Sequence, residues 1–288
     1  MYSADFDYYA ARSLREAQTL IAAHPGAKLL AGGHSLIPLM KLRLAMPAAV
    51  IDIGRIPELR GVSSSGGTLR IGSLTTHTDI ARSPDVRRGA AALAEAAAIV
   101  GDPAVRNRGT IGGNVAHADP GSDLPTVLVA LGARIVIVGA KGERTADAAA
   151  FFTGIMTTTL EEDEIVSAVL VPVASSGQAS AYVKFSHPAS RYAVVGAAAA
   201  ITVKAGVCSA ASVAVGGLVT HARRLPGVER LVSGQPLSSE KIAAAAAETS
   251  KDLGEVHGDL FASADYRRAV APVYVKRALT AAAARVGG

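Results

Sequence analysis

Tryptophan is missing altogether from the 288 residues, cysteine occurs once, and aromatic side chains make up only 4%. A lone thiol, Cys208, closes no internal disulfide and cannot hold an iron–sulfur cluster, which normally takes four thiolates. Cluster chemistry linked to this chain must therefore sit on another polypeptide, and Cys208 reads as an inert buried residue. The seven histidines include no i, i+4 pair and have no cysteine neighbours, so no metal is expected here. No block of five or six basic residues exists, although Lys plus Arg exceed Asp plus Glu by 29 to 24. With so few rings to stack on bases, a nucleic-acid partner is not expected. The N-terminus carries Asp5 and Asp7 where a secretory signal would be basic. The longest uncharged apolar run, 192–203, is shorter than the roughly 18 residues of a membrane helix and contains Gly196. The expectation is a soluble, cytoplasmic protein without a transmembrane segment, the inner membrane face being the one peripheral location left open.

What is present is a globular chain. Half the residues are hydrophobic and 18% are charged, the opposite of a disordered composition. The length allows one large domain or two modest ones. Ser13 and Glu16 have capping-box spacing at the start of a helix over 13–23. A strand at 28–31 runs into Gly32-Gly33, Ser35 is the expected N-cap of a helix over 36–44, and a strand follows at 49–53. A strand before Ser13 would complete that unit. Residues 61–68 read as a turn-rich break before a strand at 69–71. Then come an Ala-rich helix over 90–100, an irregular stretch over 101–122, a helix over 124–131, and strands at 133–138 and 165–171. Pro172, Ser175, Ser176 and Gly177 mark a domain boundary. Beyond it, 179–185, 193–203 and 209–215 read as a three-stranded antiparallel meander. Helices follow over 239–249 and 265–284, the latter with Pro272 inside it at a cost of about 3 kcal/mol. The class is α+β, with domains at 1–176 (subdomains 1–60 and 61–176) and 177–288.

Two glycine segments carry the chemistry: Ala31-Gly32-Gly33-His34-Ser35 and Thr110-Ile111-Gly112-Gly113-Asn114. Paired glycines let backbone N–H groups approach an anion without an intervening Cβ, and the first segment leads into a helix N-terminus. Each segment is expected to offer a concave set of donors to a pyrophosphate. Either one alone is more often an ordinary turn. Neither the P-loop nor the G-x-G-x-x-G pattern of a Rossmann site is present.

With their flanks, AGGHSLIPLMKLRL and GTIGGNVAHADPGSDLP, these segments closely resemble the FAD-binding medium subunits of the molybdenum hydroxylases, and within them the aerobic carbon monoxide dehydrogenase branch. The likeness extends to the terminal YRRAVAPVYVKRAL, apart from Pro272. It implies the two-subdomain FAD-binding fold shared by vanillyl-alcohol oxidase and the molybdenum hydroxylase flavoproteins, followed by the family's C-terminal domain. Ala31, Gly32, Gly33, His34 and Ser35 would cradle the FAD pyrophosphate from one side, and Thr110, Ile111, Gly112, Gly113 and Asn114 from the other. Asp123 matches an acidic residue at the nucleotide end. Lys184 matches a basic residue near the flavin, where positive charge favours the reduced anionic ring. Tyr192 matches an aromatic that lies over the isoalloxazine and shields it, and Val100 and Val166 would line the pocket. No acid–base triad is implied, because the flavin carries the redox chemistry.

The resemblance also implies an iron–sulfur small subunit and a molybdenum-cofactor large subunit as partners, in a dimer of heterotrimers. Electrons would pass through FAD to quinone, NAD or oxygen. The residues alone leave alternatives open. Asp123 could cap the helix beginning at Leu124, Lys184 could face solvent, and Tyr192 could be a core-edge residue. The acidic run 161–164 reads as a solvated turn, and the arginines of 106–108 could face phosphate or a neighbouring subunit. A self-contained flavin oxidase or reductase of the same fold, and a non-enzymatic nucleotide-binding module, are the rival functions.

Overall fold

The computed structural model describes residues 2–286. The outermost positions of the expected domains, 1, 287 and 288, lie outside that range. The N-terminal unit comprises β1 (Asp7–Ala10), α1 (Leu14–Ala23), β2 (Lys28–Leu30), α2 (Leu36–Lys41) and β3 (Ala49–Asp52). Its three strands are parallel in the order β1-β3-β2, so the strand before Ser13 is present. Ser13 accepts a hydrogen bond from the Glu16 amide at 3.1 Å, while the Glu16 carboxylate reaches back to the Arg12 amide at 2.7 Å. Ala17 and Ile21 of α1 pack on Ile51 of the central strand. Two expectations are corrected here. Helix α2 stops at Lys41 instead of continuing to residue 44, because Arg43 turns left-handed (φ 57°) and sends the Leu44 amide back to the Leu39 carbonyl. Ser35 precedes the helix but makes no side-chain cap bond.

The second unit is built on an antiparallel five-stranded sheet in the order β4-β5-β10-β6-β7. Its members in chain order are β4 (Val62–Ser65), β5 (Thr68–Gly72), α3 (His77–Arg82), α4 (Pro84–Gly89), α5 (Ala91–Ile99), α6 (Pro103–Arg108), α7 (Ile111–His117), α8 (Asp123–Ala130), β6 (Arg134–Gly139), β7 (Gly142–Asp147), α9 (Ala148–Phe151), β8 (Phe152–Gly154), β9 (Thr157–Thr158) and β10 (Ile165–Pro172). The supposed break over 61–68 is the hairpin β4–β5, whose serines are exposed and so lack the apolar alternation that marks a strand. The supposedly irregular stretch over 101–122 holds two helices, each with a side-chain cap: Asp102 accepts from Val105 N at 2.9 Å and Thr110 from Gly113 N at 3.2 Å. Helix α8 is buried along its whole length, packed among α5, β12 and β13, which explains why Thr126 is its only polar residue after Asp123.

The C-terminal unit contains β11 (Gln178–Ser186), β12 (Ala193–Lys204), β13 (Val207–Gly216), β14 (Arg223–Arg224), α10 (Pro226–Val232), α11 (Ser239–Ala247), α12 (Thr249–Asp252) and α13 (Ala264–Arg285). The meander is as expected except for a short fourth strand, β14, paired with β13. Helix α13 lies across β11 and β12 and buries Val275, Ala278 and Leu279, remaining helical through Pro272. The opposite face of the sheet contributes Tyr182, Ala198 and Ala214 to the core of the second unit. Among the described residues no helix is long and apolar enough to cross a membrane.

Candidate functional site: a cleft between two glycine segments

A cleft of about 670 Å³ opens where the three units meet, lined by parts of both glycine segments, by Val100 and Val166, and by Asp123 and Tyr192. The parallel sheet delivers the first segment. Strand β2 ends at Leu30, and the chain then crosses the cleft wall through Ala31 to Ser35, all of which line it. Gly33 is left-handed (φ 75°), a conformation other residues rarely adopt. A Cβ on Gly32 would stand 2.2 Å from the Arg108 carbonyl oxygen, so only glycine allows this segment to touch the end of α6. Among the described residues, none accepts a hydrogen bond from the amides of Gly32, Gly33, His34, Ser35 or Leu36. Consecutive unpaired donors on a cleft wall, backed by a helix start, suit an anion with several oxygens.

The second segment differs from expectation. It is the first turn of α7, and its amides are already engaged: Ile111 N with Thr75 O at 3.1 Å, Gly112 N with Ser73 O at 2.8 Å, Gly113 N with Thr110 Oγ1 at 3.2 Å and Asn114 N with Thr110 O at 3.0 Å. It is therefore no open nest of backbone donors. Ile111 is fully buried and does not line the cleft. Gly112 permits contact with Ser73, whose Cβ would lie 2.3 Å from a Cβ at that position. Thr110, Gly112, Gly113 and Asn114 do line the cleft. The Asn114 amide nitrogen donates to Ser122 Oγ at 3.0 Å, and its Oδ1 is buried without a partner among the described residues.

At one end of the cleft stands a buried polar cluster. Lys184 Nζ donates to Asp123 Oδ2 at 2.8 Å, to Ile99 O at 2.9 Å and to Arg191 O at 2.8 Å, while Tyr182 Oη donates to Asp123 Oδ1 at 2.6 Å. The Lys184 and Asp123 side chains are 1% and 4% exposed. Burial raises the Asp123 carboxyl above its ordinary range, and Lys184 and Tyr182 offset part of that shift. Asp123 is the first residue of α8 and not its cap, and Lys184 faces inward instead of toward solvent. Lys184 does not line the cleft; it reaches it through the loop it holds. That loop turns at left-handed Arg191 (φ 60°) and sets the Tyr192 ring against Gly121, where it stays 44% exposed. Burial first, then Asp119 and Asp123, push the Tyr192 phenol up to about 12, so it remains neutral. Asp123 and Tyr192 are thus tied to one ammonium and share one end of the cleft.

Lys28, Leu29, the solvated turn Glu161-Glu162 and Val166 also line the cleft. The arginine stretch does not line the cleft: Arg106 ties the Val100 and Gly101 carbonyls at 3.0 and 3.2 Å. Ser73 and His77, absent from the sequence reading, do line it. Their segment pairs with 109–112 through a bridge between Thr76 and Thr110, a contact that no local pattern announces. The one local signal was Thr76, which caps α3 by accepting from Asp79 N at 3.2 Å.

Comparison with known proteins gives a consistent result. Residues 4–174 match the family described as the FAD binding domain in molybdopterin dehydrogenase, and 180–282 match the CO dehydrogenase flavoprotein C-terminal domain. The chain is 42% identical over 281 residues to the carbon monoxide dehydrogenase medium chain of Hydrogenophaga pseudoflava, covering 97% of this chain and 98% of that one. It is 34% identical to the nicotine 6-hydroxylase medium subunit of Paenarthrobacter nicotinovorans, covering 96% and 97%. A solved structure of the Hydrogenophaga pseudoflava enzyme superimposes with a TM-score of 0.95 at 42% identity over 99% of both chains.

Proposed function

Since the chain belongs to the family of molybdopterin dehydrogenase FAD-binding flavoproteins, we propose that it is the flavin-carrying electron-transfer subunit of a carbon monoxide dehydrogenase-like molybdenum hydroxylase. The observation that carries the site assignment is the row of unpaired amides from Gly32 to Leu36 on the wall of the shared cleft. These donors would hold the diphosphate, with the Thr110 hydroxyl, Gly113 and Asn114 facing them. The bound flavin would supply the redox chemistry, joining one-electron carriers to a two-electron acceptor. The remaining residues orient and shield. Tyr192 would cover the ring, Lys184 and Asp123 would fix the loop that carries Tyr192, and Val100 and Val166 would close the apolar walls. The division at 176/177 would separate the flavin-binding domain from the C-terminal domain, whose β11 and β12 supply Tyr182, Lys184 and the approach to Tyr192.

The electrons would enter from an iron–sulfur small subunit and originate at a molybdenum-cofactor large subunit. This chain has one cysteine and cannot supply a cluster's ligands itself. A dimer of heterotrimers, with quinone, NAD or oxygen as acceptor, completes the proposal. The substrate belongs to the large subunit; the relatives named above are, by their names, medium subunits of a carbon monoxide dehydrogenase in one case and of a nicotine 6-hydroxylase in the other.

Gly113→Val tests the site. A Cβ there meets Thr110 Oγ1 at 3.0 Å and Ala31 Cβ at 3.9 Å, so the added side chain stands between the two segments. The variant is expected to purify folded, with flavin absorbance largely lost; full flavin occupancy would count against the two-segment site. Tyr192→Ala leaves the amides untouched. It should keep its flavin but lose ring contact worth roughly 0.5–1.5 kcal/mol, and stopped-flow reoxidation of the reduced protein should change rate. Unaltered reoxidation with lowered thermal stability would make Tyr192 a core-edge residue only.

A further inference from the structure

His77 begins α3, is 3% exposed, and lines the cleft beside Gly109 and Thr110. Its amide donates to the Gly109 carbonyl at 3.1 Å, fixing the residue against the second glycine segment. The ring packs where a side chain on residue 109 would be: a Cβ there would lie 2.9 Å from both Cδ2 and Nε2. Gly109 thus leaves that edge of the imidazole uncovered. On the other edge, Nδ1 is buried with no hydrogen-bond partner among the described residues. A buried polar ring held in this way calls for an explanation.

Burial first, then His34 and Arg106, lower the His77 pKa to about 4, so the imidazole is neutral and carries a single proton. An N–H sealed at Nδ1 would be an unpaired donor; a lone pair there is the lesser cost, which puts the proton on Nε2. The ring then presents one uncharged donor in the cleft that the free amides of Gly32 to Leu36 also line.

We propose that His77 is a cofactor-positioning residue whose Nε2–H donates to the anionic diphosphate lying between the two glycine segments. The proposal rests on the reading of the cleft as an FAD site. It explains why a histidine occupies a sealed position that an apolar residue would fill at less cost, and why residue 109 is glycine.

The test uses the full chain purified with its partner subunits, stripped of flavin and titrated with FAD, ADP and FMN. ADP shares the diphosphate and adenosine but lacks the flavin, whereas FMN lacks the diphosphate. His77→Leu should raise the dissociation constants for FAD and ADP by a common factor, roughly ten-fold or more, and leave FMN nearly unchanged. His77→Gln, which keeps an N–H near Nε2, should stay within about three-fold of wild type. The flavin-free melting temperature of His77→Leu should equal or exceed that of wild type, because a buried unpaired group has been removed. Unchanged FAD affinity in His77→Leu, or equal weakening of FAD and FMN with a lower melting temperature, would overturn the assignment. Failure of the wild-type protein to bind FAD would overturn the cofactor reading itself, and the wild-type titration reveals that separately.

Discussion

Gly32→Val should yield a chain without flavin. The added Cβ would stand 2.2 Å from the Arg108 carbonyl oxygen and 3.0 Å from Gly109 Cα, and both obstacles are backbone, so no rotamer relieves them. Strand β2 continues directly into the segment, which leaves Gly32 little freedom to retreat. The first segment must move away from the end of α6, and the row of free amides moves with it. Overpacking of this kind costs roughly 1–3 kcal/mol even where side chains can yield. Flavin content at background with a reduced unfolding midpoint is the expected result, measured by visible absorbance and thermal unfolding. Gly113→Val, whose Cβ meets no backbone outside its own helix, should lose flavin with far less loss of stability. If both variants kept flavin, the cofactor would not lie between these segments.

Lys184→Met should cost the most stability of any single change discussed. Among the described residues the ammonium is the only cation paired with the Asp123 carboxylate, and removing one partner of a buried pair typically costs about 3–5 kcal/mol. Two carbonyl acceptors, Ile99 O and Arg191 O, also lose their donor, and the turn carrying Tyr192 loses its tether. In the variant Asp123 would favour its neutral form still more than burial already makes it. Its folded pKa then lies above its unfolded value, so stability is greatest below the unfolded pKa and declines as pH rises through the folded one. Lys184→Met/Asp123→Asn, which removes the stranded charge, should recover most of the loss. Urea unfolding of the three proteins at acidic and neutral pH measures this. A loss in Lys184→Met below about 1 kcal/mol, the size of an exposed ion pair, would mean the cluster is not the buried pair described here.

The elements with strong local signals were legible before folding was known. Ser13 and Glu16 announced α1, and the apolar runs announced β10 in one sheet and β11 to β13 in another. The glycine segments and their flanks identified the family, because close backbone approach restricts residue choice locally. Where the reading failed, the signal was weak for a physical reason. The exposed serines of β4 carry no apolar alternation, and the paired glycines of α7 concealed a helix whose cap, Thr110, stood in plain sequence.

What the sequence determined by itself was the set of chemical groups: two glycine pairs, a carboxylate, a lysine and a tyrosine in recognisable surroundings, and too few thiols for a cluster. Only the tertiary structure decided which of those groups remain free to act. The amides of the first segment stay unpaired because β2 is an edge strand ending at the cleft, whereas those of the second are occupied by Ser73, Thr75 and Thr110. Asp123 is committed to Tyr182 and Lys184, across 59 and 61 residues of chain, and His77 arrives in the cleft by pairing with a segment that local periodicity does not connect to it. Long-range contacts select which donors and acceptors satisfy one another, and a buried polar group can serve a ligand only where the fold has left it unpaired.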